Sequence, residues 1–446
     1  MADNPFLSPD FLIKWSAHTA DQIEPAIKQA LADGQAAIDT IAGLPLDQLT
    51  YANTFRALEG ATESLNFAWS KVTHLQSVAD SPEIRAAHNA ILADVSSFYA
   101  RIPLNAELWT RLKTVAESAE GKSQIGIRRR FVDETVADFV EAGADLPTDQ
   151  KKRLEEIQSE LAKVTQKYSE NVLDATNGWD VVITDESRLA GIPEHARATA
   201  RKSAESKGKG DAQNPAWRFT LHMPSLEPVM VYAEDEELRR EMWQASTAVG
   251  SAGEHDNRPL VPQILALREE EAKLLGKAHF ADQVLGRRMA KSGANALAFL
   301  NDLQGKAQSA FERECGELEQ FKAEQTGGPS TKMKAWEVGY WAEKQRRALH
   351  DFDDEILRPY LPMNRVIEGL FELAKRVFGL SITEQPAGSV EVWHEEVKFY
   401  EIRDEDDRHV GSFYADWHPR ESKRGGAWMG YFEPVGPQLV SLRGPR

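Results

Sequence analysis

Between Leu154 and Val172 the apolar residues Leu154, Ile157, Leu161, Val164, Tyr168 and Val172 recur at steps of three and four among Lys, Arg, Glu and Gln. That spacing lines one face of an α-helix, because 3.6 residues complete a turn. Thr148 after Pro147 can cap its start with a hydroxyl that accepts from an orphan N–H, and Asn177-Gly178 can end it by tolerating positive φ. The same texture predicts helices at 19–42, 50–80, 82–99, 105–118, 132–142, 193–206, 235–250, 259–275, 278–288, 293–324, 336–350 and 364–379. Gly, Pro or Asn/Asp clusters separate them.

A period of two appears late in the chain. Val390, Val392, His394, Glu396, Lys398, Tyr400 and Ile402 would share one face of a strand, with Trp393, Val397 and Phe399 on the other. The polar turn RDEDDRH leads into a second such run, Val410 to Trp417, so a hairpin is expected. Weaker strand signals lie at Trp179–Thr184 and Trp217–His222. The expected class is mostly α, with a small late β-hairpin or sheet.

Charge narrows the function classes. Among 446 residues, 53 Lys+Arg face 70 Asp+Glu, a formal net charge of −17. A phosphate backbone selects basic surface, so no nucleic-acid partner is expected. Cysteine occurs once, at Cys315, which rules out an intrachain disulfide framework or a Cys-based zinc site and fits a reducing compartment, the cytoplasm by default. The N-terminal MADNPFLSPDFLIKW lacks a basic stretch followed by an apolar run, and nowhere do about 18 apolar residues follow one another, so neither an export signal nor a membrane span is expected. The expected organisation is an N-terminal helical region at 1–150, a central helical region at 151–385, a hairpin region at 386–438 and a short tail at 439–446.

Several stretches resemble chemical motifs without completing them. His394-Glu395-Glu396-Val397-Lys398 opens like HExxH, in which two imidazoles one helical turn apart hold zinc while Glu activates its water. Here the fifth residue is Lys398, a charged ammonium without a lone pair, and the local period is two. His350-Asp351-Phe352-Asp353-Asp354-Glu355 lacks the Gly turn and distal Glu of a calcium loop, and reads as a helix end followed by Asp353 capping the next element. Lys207-Gly208-Lys209-Gly210 reads as a solvated turn, since a phosphate loop needs GxxxxGK(S/T) entering a helix. Cys315 has no local base. More informative is Gly411-Ser412-Phe413-Tyr414-Ala415-Asp416, followed by His418-Pro419-Arg420 and Lys423-Arg424-Gly425-Gly426-Ala427-Trp428-Met429. Paired glycines beside two cations and a Trp admit another backbone at close range, as strand addition by a peptide requires, and a tight turn after a hairpin explains them equally well.

These residues have company elsewhere: Asn4-Pro5-Phe6-Leu7, Ala68-Trp69-Ser70 with His74-Leu75, the Leu154–Asn171 helix, and Pro224-Ser225 leading to Pro228-Val229-Met230-Val231-Tyr232. Further on come Ala335-Trp336-Glu337, Tyr340-Trp341, Glu343-Lys344, Leu357-Arg358-Pro359-Tyr360, Gly369-Leu370-Phe371 and Val392-Trp393-His394. With the FYAD and KRGGAWM runs, they make the chain resemble the thimet oligopeptidase and oligopeptidase A family of zinc metallopeptidases, in its bacterial oligopeptidase A and peptidyl-dipeptidase branch, from about residue 4 to about 438. The resemblance implies an elongated multi-helix peptidase fold whose channel admits short unfolded peptides. It also implies zinc held by HExxH on a catalytic helix together with a downstream Glu.

That helix follows KRGGAWM in the family, and no HExxH occurs among these 446 residues. The expectation is therefore an N-terminal portion, truncated before the zinc-binding helix and inactive by itself, with no catalytic residue and no zinc ligand of its own. His394, Tyr414, Asp416, Arg420, Lys423, Arg424, Gly425, Gly426 and Trp428 are the candidates for the substrate channel. The expected partners are short peptides and a complementary C-terminal peptidase half. The competing expectation is a non-enzymatic helical scaffold derived from such a peptidase.

Overall fold

The computed structural model describes residues 4–432, so the tail expected at 439–446 lies outside the described residues. Helices come first: α1 (Ala20–Ala42), α2 (Ala57–Ala61), α3 (Glu63–Val78), α4 (Pro82–Leu104), α5 (Ala106–Glu117), α6 (Ala119–Ser123), α7 (Gly126–Glu141) and α8 (Thr148–Asn177). A short-stranded stretch follows, with β1 (Asp180–Ile183), α9 (Glu194–Ser206), β2 (Trp217–Thr220), α10 (Met223–Tyr232), α11 (Glu236–Thr247), α12 (Leu260–Leu274) and α13 (Phe280–Leu285). The last elements are α14 (Gly293–Thr326), α15 (Ala335–His350), α16 (Met363–Phe378), β3 (Ser381–Glu384), β4 (Lys398–Arg403) and β5 (His409–Ala415). Strands β1 and β2 pair antiparallel, and β3-β4-β5 form an antiparallel sheet in that order.

Helical periodicity located most of these elements closely but did not predict the short α6 or α10, the latter carrying Pro224 and Pro228, and the other departures have local causes. The helix expected at 50–80 opens with a π-turn, Ala52–Arg56, and breaks at Thr62, whose ψ of 1° leaves the helical basin just after Gly60. Gly and Thr are among the weaker helix formers, so little opposes the break. The first strand of the hairpin is shorter than its alternation suggested: residues 390–397 are irregular, and Val397 N closes a turn on the His394 carbonyl at 3.0 Å. Side chains of that stretch are held instead by distant partners, Glu391 by Ser16 N at 2.8 Å and Trp393 by Asp416 at 3.0 Å. Strand β3 is four residues long, too short to show a period, and had no sequence signal.

Packing divides the chain into two units, one made of Met1–Gln166, Gln263–Val284 and Phe378–Arg446, the other of Lys167–Pro262 and Leu285–Val377. In the first, Phe6, Trp15, Ile23, Ile27, Leu65, Val72, Ile91 and Phe98 form a core between the N-terminal segment and α1, α3 and α4. Trp393, Tyr414 and Phe432 pack onto it from the late part of the chain. Lys71 of α3 is buried here, donating to the carbonyls of Pro5, Phe6 and Ser8 at 2.9–3.1 Å, which ties the N-terminal segment down. A further core, around Phe55, Leu108, Trp109, Leu112 and Phe139, joins α1 to α5 and α7. In the second unit Ile183, Leu189, Trp217, Phe219, Val229, Leu238 and Met242 gather the β1-β2 pair, α9, α10 and α11.

Candidate functional site

The site begins at the end of β5, where Asp416 leaves the strand. Its carboxylate receives both arms of the Arg420 guanidinium, at 2.8 Å on Oδ1 and 2.7 Å on Oδ2. The Trp393 indole N–H adds a bond at 3.0 Å and Lys423 Nζ an ion pair at 3.1 Å. The Asp416, Arg420 and Lys423 side chains keep only 9–10% of their exposure. Burial raises the Asp416 carboxyl, but the bonds from Arg420, Trp393 and Lys423 outweigh it and hold it at about 2.

The same residues dock this segment onto the end of α3. Arg420 donates to the Val78 carbonyl at 2.9 Å, Arg424 N to the Ser77 carbonyl at 2.9 Å, and Asp80 N to the Ser422 carbonyl at 2.9 Å. The last carbonyls of a helix have no intrahelical donor and carry partial negative charge, so a guanidinium and an amide suit them. Lys423 closes the loop on itself through the carbonyls of Asp416 at 2.7 Å and His418 at 3.1 Å. With all its acceptor sites occupied and its pKa so low, Asp416 is a poor base. The cluster is a clasp that fixes backbone.

Beneath the clasp lies an aromatic box. The His74 ring meets Trp393 edge-on at 4.1 Å and Phe432 at 4.9 Å, with Trp15 at 5.1 Å, and Trp15 in turn touches Trp393 at 5.3 Å. Burial lowers His74 to about 4 against the opposing pull of the Asp416 charge, so the imidazole is neutral near pH 7. Tyr414 sits in this box beside Trp393 and Phe399, and burial pushes its phenol up.

The nine candidate residues therefore separate. Asp416, Arg420, Lys423 and the Arg424 backbone come together, while Tyr414 joins the core behind them. His394 lies in the irregular stretch before β4, its Nδ1 accepting from Glu396 N at 3.3 Å. Gly425, Gly426 and Trp428 are exposed, Gly426 has φ +93°, and no atom stands within 4 Å of where a Cβ would project from either glycine. The Trp428 face lies 6.0 Å from Lys423 Nζ. His74, Trp15 and Trp393 were missed as members of this cluster. Their only signal was inclusion of Trp393 and His74 among the family-like runs, because residues brought together from such distant positions leave no local spacing.

Motifs read as incomplete have ordinary structural roles. Asp353 accepts from Glu355 N at 3.0 Å and starts a 3₁₀ turn, and Asp351 ends α15 at φ 47°. Lys209 pairs with Asp180 at 2.7 Å beside Gly208 at φ +65°. Among the described residues no three His, Cys, Asp or Glu side chains converge as a metal site, and no helix is long and apolar enough to cross a membrane. A depression of about 1000 Å³ is lined by α1, α4 and the start of α8, including Lys28, Asp39, Arg101, Lys151 and Glu155, and holds none of the nine candidates.

Comparison with known proteins bears on the whole length. The family model described as "Peptidase family M3" matches residues 229–441, and that described as "Neurolysin/Thimet oligopeptidase, N-terminal domain" matches 27–152. Oligopeptidase A of Salmonella typhimurium is 37% identical over 433 residues, covering 96% of this chain and 62% of its own length. Oligopeptidase A of Escherichia coli is 36% identical over 433 residues with the same coverage, and dipeptidyl carboxypeptidase of Escherichia coli is 29% identical over 436 residues, covering 96% of this chain and 63% of its own. The chain thus spans somewhat under two thirds of the length of these relatives. Collinear similarity across nearly all of its residues, together with two family models placed in order along it, means that the chain belongs to the oligopeptidase A and thimet oligopeptidase family of metallopeptidases, peptidase family M3.

Proposed function

We propose that these 446 residues form the scaffold and part of the peptide-binding wall of a cytoplasmic zinc oligopeptidase that hydrolyses short peptides, and that as an isolated polypeptide they are inert. The collinear relation to oligopeptidase A carries the first half of this reading. The absence of HExxH from the sequence carries the second. The residues present do not fit zinc: His394 is followed at the fifth position by Lys398 outside any helix, and no three metal-ligating side chains converge among the described residues. No catalytic step is therefore assigned to this chain.

What the chain contributes on this reading is position. The Asp416–Arg420–Lys423 clasp fixes the segment from β5 to Gly426 against the end of α3 and leaves Gly425, Gly426 and Trp428 open to an extended backbone. A peptide strand needs close approach, free main-chain groups and an aromatic surface, all of which this segment offers.

Co-expression with the segment of Salmonella oligopeptidase A that extends beyond its match to this chain tests the reading. Chelator-sensitive cleavage of a short quenched fluorescent peptide, with a folded protein left intact, is the expected result. A well-folded complex that cleaves neither would favour the non-enzymatic scaffold.

A further inference from the structure

Helix α16 divides its surface sharply. Val366, Leu370, Leu373 and Val377 lie along one face, while Arg365, Glu368, Glu372, Lys375 and Arg376 take the other. A helix so segregated normally lays its apolar stripe on a core. In α16 no residue is buried, and those four apolar side chains remain 47–59% exposed. The neighbouring part of the sequence behaves alike: α14 buries only Leu318 and Ala323, and Leu297, Leu300 and Leu303 near its start are 52–60% exposed. Among the described residues, more than half of the large exposed apolar side chains fall between Met289 and Phe378. Elsewhere they are scattered, as on any soluble protein.

Contiguous apolar surface marks an interaction site, and its size argues for the occupant. At 1.5 Å per residue, the 16 residues of α16 run about 24 Å and present a stripe about 10 Å wide. That is roughly 240 Å² against the ~800 Å² per partner of a stable dimer, too little for self-association through this face alone. It suits one wall of a larger interface. More than a third of the length of the oligopeptidase A relatives has no counterpart in these 446 residues, and α16 lies inside the region matched by the M3 model.

We propose that the apolar face of α16 is a docking surface for that remaining part of an M3 peptidase, carried on the same polypeptide or on another, which would cover the Val366–Val377 stripe with an apolar helical surface. This inference rests on the metallopeptidase reading above.

Retention on a column tests docking separately from chemistry. The tagged 446-residue chain is co-expressed with the unmatched segment of Salmonella oligopeptidase A, and the stoichiometry and dissociation constant of the complex are measured. One-to-one retention is expected, weakened at least tenfold by Leu370→Glu and by Leu373→Glu and unchanged by Glu368→Lys on the polar face. Both leucines are exposed in the chain alone, so its circular dichroism and melting point should not move in these variants, which excludes misfolding as the cause. Absence of retention, or retention indifferent to both leucine variants, overturns the proposal. So does self-association of the chain, or binding to phosphatidylglycerol vesicles, that the leucine variants abolish. A complex that forms through α16 yet hydrolyses nothing upholds docking and overturns the enzymatic reading; hydrolysis without dependence on α16 does the reverse.

Discussion

Asp416 carries three charged or polar partners in a space that water barely enters, and that decides what its loss would do. Removing one member of a buried, hydrogen-bonded charge cluster leaves the others desolvated and unpaired, at about 3–5 kcal/mol. Because the segment lies against α3 and can open to solvent locally, Asp416→Ala is expected at the lower end, about 3 kcal/mol, read as a fall in the urea midpoint with an unchanged slope. Arg420→Lys keeps the charge but loses the two-pronged bond, so it should cost less than Asp416→Ala and more than nothing. The acid side of the stability curve follows from two groups. Asp416 is held at about 2 against an ordinary 3.8, so its contribution is complete above 3.8 and is lost as pH falls towards 2. His74 is held at about 4 against 6.5, so the unfolded chain takes up the proton first and stability falls as pH drops from 6.5 to 4. That window spans about 2–3 kcal/mol, and His74→Gln should flatten it in urea titrations while leaving the loss below pH 3.8 in place. Burial also lowers the His18 pKa, which leaves a shallower slope of the same sign in the variant. At this scale the sequence was half legible. Asp416, Arg420 and Lys423 stand close enough in the chain to be read together, whereas their shared partners, Trp393 and the end of α3, are brought in by the fold.

At the scale of elements, local rules worked where an element is long and its environment one-sided. Helices such as α1, α8 and α14 fall within a few residues of their periodic signal, since many turns repeat the same instruction. The late sheet was read less well. Its β4-β5 hairpin and the β1-β2 pair were visible as alternation, but β3 is too short to carry a period, and residues 390–397 alternate without being a strand because their side chains answer to Ser16 and Asp416 instead. One turn has a sharp steric requirement. Gly191 has φ +83°, and a Cβ there would stand 2.2 Å from the Tyr232 carbonyl oxygen, backbone that cannot step aside, while Glu234 N bonds the Ala190 carbonyl at 2.9 Å. Gly191→Ala should therefore cost at least about 2 kcal/mol, combining backbone strain with overpacking, and lower the melting temperature accordingly. Gly425→Ala, at a position with open space around it, is the control and should leave stability nearly unchanged.

For the whole molecule, family membership and chemistry separate. The fold elements, the cores and the clasp account for how these residues hold together and present a surface, and the relatives place the chain in a metallopeptidase family. Family-like runs spread along the chain made the relationship legible from sequence alone, because each preserved run records a packing or positioning need. The proposed peptide-binding role was less legible, since open glycines and an exposed Trp describe a loose turn as well as they describe a binding edge. The most direct test is the metal content and turnover of the purified 446-residue chain after loading with zinc, using a short quenched fluorescent peptide with and without chelator. Well under one zinc per chain and no chelator-sensitive hydrolysis are expected; one tightly held zinc per chain, with turnover that chelation removes, would overturn the proposed inertness of the isolated chain.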